Sequence, residues 1–219
     1  KEGLRPVSNL SYNEANLAGM FGLKIIDPSA IKDIQEAELS ILLLVTDIRD
    51  PSRVTCISRE AKSEDSNSVK IVTGRRDCTI LEMVKSKRDS LEDYLRNVRR
   101  YDDFFELRPY RIGKTEKARF LILDAPFVRR YKGELMSFDK ESEMTSGLGA
   151  ITLIGDQMKQ QRGVAAKAFD AVFESGINIE DGDIQQPTSS ILILVKNEYL
   201  AEAVRSIHAR TGPGATEGL

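Results

Sequence analysis

The first polar–apolar pattern in the chain is a helix start. Ser11 stands three residues before Glu14, the capping-box spacing in which each side chain can accept a backbone N–H at the helix entry. Ala15, Ala18 and Phe21 then recur on one face, and Gly22 supplies a stop, so a helix is predicted over 12–21. Asp27 followed by Pro28 marks a second start, with Ile31, Ile34 and Ala37 as its apolar stripe. The run from Ser40 to Thr46 is almost wholly apolar and of strand length, which predicts a strand buried on both faces and broken by Asp50-Pro51-Ser52. From Glu60 to Ser68 there is almost nothing to bury, which predicts a linker.

Beyond the linker one pattern occurs twice. Its first copy reads as a strand at 78–84, a helix at 89–100, strands at 105–112 and 118–124, and a short helix from Pro126. Matching elements return about 72 residues later: a strand at 150–155, a helix at 163–175, strands at 177–184 and 190–196, and a helix at 198–210. A strand–helix–strand–strand–helix unit is most of a ferredoxin-like βαββαβ module, a four-stranded antiparallel sheet with its helices on one face. The missing strands have two candidate sources, 69–74 and 54–59. The Gly- and Pro-rich residues 211–219 read as a frayed tail.

Composition narrows the chemistry. Thirty-two Lys and Arg against 34 Asp and Glu leave a net charge of −2, without the basic excess of a dedicated nucleic-acid binder. No apolar run approaches the roughly 18 to 20 residues of a membrane-spanning helix, and no basic-then-apolar leader opens the chain, so a cytoplasmic protein is expected. The first residue is Lys1, read as a cut edge rather than a natural start. Two cysteines, Cys56 and Cys78, form neither a disulfide framework nor a metal knuckle, and one histidine, His208, excludes two-histidine metal motifs. Arg96, Arg99, Arg100, Arg108 and Arg111 form a basic cluster, but Glu92 lies four residues before Arg96, which favours a salt-bridged helix surface. No Gly-x-x-x-x-Gly-Lys phosphate loop occurs.

One loop has binding character on residue grounds alone. Asp156–Arg162 joins a strand to a helix that opens at Gly163, so uncapped N–H groups and the positive end of the helix dipole would favour a carboxylate there. The competing reading is a plain turn in which Gly163 serves only its backbone angles.

The stretch Ala150-Ile-Thr-Leu-Ile-Gly-Asp-Gln-Met158, followed by Gly163-Val-Ala-Ala-Lys-Ala-Phe169 and Glu174-Ser-Gly-Ile-Asn-Ile-Glu180, resembles an ACT domain, and in particular the last ACT domain of aspartate kinases. Leu10-Ser-Tyr-Asn-Glu-Ala15 with Phe21-Gly-Leu-Lys-Ile-Ile-Asp-Pro28 looks like the end of the aspartate kinase catalytic domain, and Val69-Lys-Ile-Val-Thr-Gly-Arg-Arg-Asp77 resembles the lead-in to the first ACT domain. The resemblance implies an α+β chain: two ferredoxin-like βαββαβ (ACT) modules preceded by a helical and strand remnant of an α/β amino-acid-kinase domain. The implied division is 1–59 kinase remnant, 60–68 linker, 69–146 degenerate first ACT domain, 147–210 second ACT domain and 211–219 flexible tail.

The same resemblance implies a regulatory portion of an enzyme that phosphorylates L-aspartate with ATP, on the way to lysine, threonine and methionine. Its catalytic residues would lie upstream, so none is expected among these 219. ATP and Mg²⁺ would serve the full-length enzyme, and neither is expected on this piece. Lys24 matches a nucleotide-contacting lysine. Gln157, Met158, Gly163, Val164, Ala165, Asn178 and Ile179 match the effector-binding positions of the last ACT domain, and Thr115 and Glu116 those of the first. An amino-acid effector and a homodimer or tetramer through ACT domains are the implied partners, without nucleic acid or membrane. Four departures are visible: Asp27 replaces a histidine, the usual Asn-Thr after the buried strand is replaced around Thr46-Asp47, the first copy lacks the Gly-Phe-Leu-Ala helix opening, and Tyr110 stands where lysine-sensitive members carry a ligand-binding Asp. The alternatives are a free-standing amino-acid-binding ACT protein and a structural dimerisation module.

Overall fold

The structure is a computed structural model that describes residues 7–23, 26–60, 69–185 and 190–212. The chain is α+β, with ferredoxin-like βαββαβ sheets and helices in ACT-domain topology, preceded by a small mixed-sheet remnant. It divides into two compact units. One comprises 1–74, 151–195 and 199–219; the other comprises 75–150 and 196–198.

The remnant belongs to the first unit. It holds β1 (Asn9–Ser11), α1 (Tyr12–Met20), α2 (Pro28–Glu36), β2 (Leu43–Asp47) and β3 (Asp50–Ser58). Its strands lie in the order β1-β3-β2, parallel between β1 and β3 and antiparallel between β2 and β3. The predicted capping box is present: the Glu14 N–H donates to Ser11 Oγ at 3.0 Å and the Ser11 N–H to Glu14 Oε2 at 2.8 Å. Asp27 caps α2 through the Ser29 N–H at 3.0 Å. The expectation of a strand buried on both faces is corrected here. β2 is an edge strand, and among the described residues nothing covers Leu42 or Leu44, 61% and 60% exposed. The run Asp50-Pro51-Ser52 breaks β2 only to open β3.

The same unit contains β7 (Glu143–Ile154) from residue 151 onward, α5 (Val164–Glu174), β8 (Asp181–Gln185), β9 (Ser190–Lys196) and α6 (Leu200–Thr211). Its fourth strand is the beginning of β4 (Ile71–Val84), so an element that precedes the module in the chain completes it in the order β4-β7-β9-β8. Ile151, Leu153, Ile191, Ile193 and Val195 point from the sheet toward Val164, Ala168, Val172, Leu200, Ala203 and Ile207 on the two helices. Burying such a face is the main stabilising term for an antiparallel sheet with helices on one side. Gly74 permits the close approach of β4 to α6: a Cβ there would stand 2.9 Å from Val204 Cγ2.

The second unit runs βαββαβ without interruption: the rest of β4, α3 (Arg88–Asp93), β5 (Phe104–Ile112), β6 (Thr115–Ile122), α4 (Ala125–Ser137) and the start of β7. The order is β5-β6-β4-β7, with Thr79 opposite Ile122 and Val84 opposite Lys117. Leu81, Met83, Phe104, Phe120 and Ile122 pack against Leu91, Leu95, Val128 and Leu135. Its first helix is not the uniform one expected over 89–100; α3 passes into a π-helical turn at Tyr94–Val98. The helix expected to be short, from Pro126, is thirteen residues long, and the strand expected from Ile177 begins at Asp181.

Candidate functional site

The loop singled out by its sequence follows the last residue of β7. Gly155 leads into a single 3₁₀ turn over Asp156–Lys159, where the Met158 N–H donates to the Gly155 carbonyl at 3.1 Å. The chain then enters α5 through Gly163, whose φ of 82° lies in the left-handed region that favours glycine. No side chain caps this helix. The N–H groups of its first turn, with the positive end of the helix dipole, form a carboxylate-sized donor set at the N-terminus of an eleven-residue helix.

Of the predicted residues in this unit, Gln157, Met158, Gly163, Val164 and Ala165 lie at that entry, whereas Asn178 and Ile179 follow the opposite end of α5 and are not brought together with it in one chain. Met158 and Val164 are buried in the core of the unit, 8% and 7% exposed, and Ala165 and Ile179 pack against that core. The Met158 and Val164 side chains hold the loop to the sheet, so a ligand at the α5 entry would meet their backbone atoms. Gln157 is half-buried, while Gly163 and Asn178 are exposed. Asn178 follows a turn in which the Ile177 N–H donates to the Val172 carbonyl, and its amide donates to Glu180 Oε1 at 3.1 Å. These residues lie in one unit.

Thr115 and Glu116 lie in the other, at the start of β6 beyond the Gly113-Lys114 turn, opposite Ile112 and Arg111. Glu116 already has a cationic partner, the Lys85 ammonium at 2.7 Å. The strand-to-helix turn of this unit is built of charge: Arg88 donates to Glu106 Oε1 at 2.7 Å, to Asp89 at 2.7 Å and to Glu92 at 3.0 Å. Those bonds hold the Arg88 guanidinium pKa far above its ordinary value, Glu106 first. A turn filled by its own ion pairs offers no counterpart to the open entry of α5. Tyr110 donates to Glu82 Oε2 at 3.3 Å and faces the Arg119 guanidinium; burial and Glu82 raise its phenol pKa. In the basic cluster, Arg96 pairs with Glu92 at 3.1 Å and with Asp102 at 2.7 Å, and Arg99 pairs with Glu134, the salt-bridged surface expected. Lys24 lies outside the described residues, as do most of the 60–68 linker and all but two residues of the 211–219 tail.

Sequence reading missed the polar centre beneath the loop. Glu14 of α1 is wholly buried and accepts the Asp156 N–H at 2.8 Å and the Lys70 ammonium at 2.9 Å. Its capping-box role was legible; its other two partners stand 142 and 56 residues away.

Residues 151–210 match the ACT domain family. Over the whole chain, 23% of residues are identical to an aspartokinase of Geobacillus stearothermophilus across 219 residues, 95% of this chain and 51% of that protein. The chain therefore spans about half the length of that curated relative. Among solved structures, the aspartate kinase of Clostridium acetobutylicum superposes with a TM-score of 0.72 at 14% identity, over 96% of this chain and 50% of the other. E. coli aspartokinase III in complex with lysine and aspartate gives 0.64 at 18% identity, over 94% and 46%. The ligand-free regulatory subunit of Thermus thermophilus aspartate kinase gives 0.53 at 17% identity, over 65% of this chain and 97% of that subunit. The ACT match covers β7 after Gly149 and Ala150, the candidate loop and α5 through α6.

Among the described residues no group of three or more His, Cys, Asp or Glu side chains could hold a metal ion. Among the described residues no helix is long and apolar enough to cross a membrane.

Proposed function

We propose that this chain is the amino-acid-sensing and oligomerising portion of an aspartate kinase, whose whole protein transfers the γ-phosphoryl group of ATP to the β-carboxyl of L-aspartate. The observation that carries the proposal is the uncapped N-terminus of α5 behind Gly163, inside the segment that matches the ACT family. A free amino acid presents a carboxylate and an ammonium. The first suits the α5 entry, and the second needs oxygen acceptors: the Gln157 amide beside that entry is one, and Asn178, which follows the far end of α5, would serve only from a second copy of the chain. The lysine held by the E. coli relative is a ligand of that class.

Binding would favour one arrangement of the assembled chains over another, with a coupling of roughly 1 to 3 kcal/mol for feedback of ordinary strength. Dimer or tetramer formation through the ACT modules supplies the two-state element on which such coupling acts. ATP and Mg²⁺ belong to the catalytic half of the parent enzyme, and a cytoplasmic setting goes with that role.

The test is a thermal-shift panel with L-lysine, L-threonine, L-methionine and L-leucine. A ligand at 100 times its Kd adds about 2.7 kcal/mol of stability, a shift of several degrees. At least one amino acid should give that shift. No shift with any of them favours the reading of the chain as a dimerisation scaffold.

A further inference from the structure

A capping box asks little of its carboxylate: one oxygen accepts the N-cap N–H, and glutamine serves as well as glutamate. Glu14 does more. Oε2 accepts the Ser11 N–H and, at 2.9 Å, the ammonium of Lys70, which also donates to the Asn9 carbonyl at 3.1 Å. Oε1 is turned the other way and accepts the N–H of Asp156 at 2.8 Å. Glu14 is 0% and Lys70 8% exposed, so water does not replace these bonds. Lys70 also clamps the same junction through its backbone, its N–H donating to the Ile154 carbonyl at 2.9 Å. The residues on either side of Gly155 are thereby held by two groups that bond each other.

We propose that Glu14 is a positioning residue that couples the 155–163 loop to α1. This rests on the reading of that loop as an amino-acid site. Asp156 is the first residue after β7 and Gly163 the last before α5, so a ligand that draws in the α5 entry pulls on a loop whose near end is tied to Glu14. Displacement of Asp156 either carries Glu14 and the first turn of α1 with it or breaks a charge-assisted bond in a dry site. Such a site has two discrete states rather than a soft continuum. The ion pair to Lys70 keeps the carboxylate aimed.

Hydrogen exchange of the chain, wild type against Glu14→Gln, tests this. A neutral amide offers one acceptor oxygen to three donors, so the Asp156 amide is expected to exchange about tenfold faster in the variant. With the wild type brought by urea to the global stability of the variant, the Asp156 difference should remain and amides of α6 should exchange at matching rates. Should Glu14→Gln not fold, the pair Glu14→Gln with Lys70→Met, which buries no charge, takes its place. An unchanged Asp156 rate overturns the proposal, and so does a difference that vanishes at matched stability, the mark of a purely structural role. The second arm adds L-lysine, L-threonine, L-methionine or L-leucine at millimolar concentration. An amino acid that protects Gly163–Ala165 should also alter exchange in α1 of the wild type and leave α1 of the variant unaffected. Protection of the loop with no response in wild-type α1 overturns the coupling and leaves sensing intact. If none of the four protects the loop, the sensing reading fails, and the ligand-free comparison alone decides the Glu14–Asp156 link.

Discussion

Lys70 and Glu14, 56 residues apart in the chain, form an ion pair of 2.9 Å with 8% and 0% of their side chains exposed. Removing one member of such a pair strands a charge away from water, at a cost of about 3–5 kcal/mol. Lys70→Met and Glu14→Gln are each expected to lower unfolding stability by an amount near that range, with Glu14→Gln toward its lower end because the amide keeps some hydrogen bonds. The double variant should lose clearly less than the sum of the singles. Urea unfolding of the four proteins checks this, and strict additivity would show that the two groups do not interact.

Cys78 is fully buried, and burial pushes its thiol pKa up to about 12, whereas Cys56 is partly exposed. Because the thiolate is the reactive form, Cys78 is inert while the fold is intact. Labelling with a thiol reagent near neutral pH should modify Cys56 alone in native protein and both cysteines in denaturant. Fast native labelling of Cys78, read by mass spectrometry, would contradict this packing.

Asp139 accepts the Val84 N–H at 2.8 Å and the Glu141 N–H at 3.0 Å, and these bonds hold its carboxyl pKa below the ordinary value, Val84 first. A depressed folded-state pKa contributes stability that is present above the unfolded value and is lost as the pH falls through the folded one. Asp139→Asn should therefore cost about 1 kcal/mol at neutral pH. That difference should shrink once the pH drops below about 4. Denaturant midpoints at both pH values give the comparison; a gap of the same size at each would count against the assignment.

Gly74 sets the approach of β4 to α6. An added Cβ meets Val204 Cγ2 at 2.9 Å and Leu200 Cδ1 at 3.0 Å. Gly74→Val, stiff at χ1, should destabilise the unit by about 1–3 kcal/mol through overpacking. Gly163→Ala meets nothing within 4 Å but must keep a φ of 82°, at a cost of about 1–2 kcal/mol. Thermal midpoints distinguish the two: trimming Val204 to Ala should rescue Gly74→Val and leave Gly163→Ala unimproved.

What was legible in the sequence was local. The capping box at Ser11 and Glu14, the Asp27-Pro28 start and the doubled strand–helix pattern each lie within a few adjacent residues, and each appears in the fold. What stayed hidden depends on distant partners. Gly74-Arg75-Arg76-Asp77 interrupts the alternation of β4, and Glu143-Met-Thr-Ser-Gly147 hides the first half of β7 behind polar residues. Both segments are strands because neighbouring strands supply their hydrogen bonds. The apolar run at Ile41–Val45 reads as buried, yet its burial is set by what covers β2, which no local pattern records. At the candidate site, Gly163 was legible from its place before a helix. Met158 and Val164 carried a ligand-binding expectation by resemblance, while their side chains lie in the core.

The most direct measurement is an amide-resolved NMR titration of the chain with the four amino acids. The expected result is a saturable shift of the Gly163, Val164 and Ala165 amides, with Gln157 and Asn178 responding to the same ligand and β3 unmoved. Amides at the α5 entry that stay fixed at millimolar ligand, or shifts confined to other surfaces, would contradict the central claim.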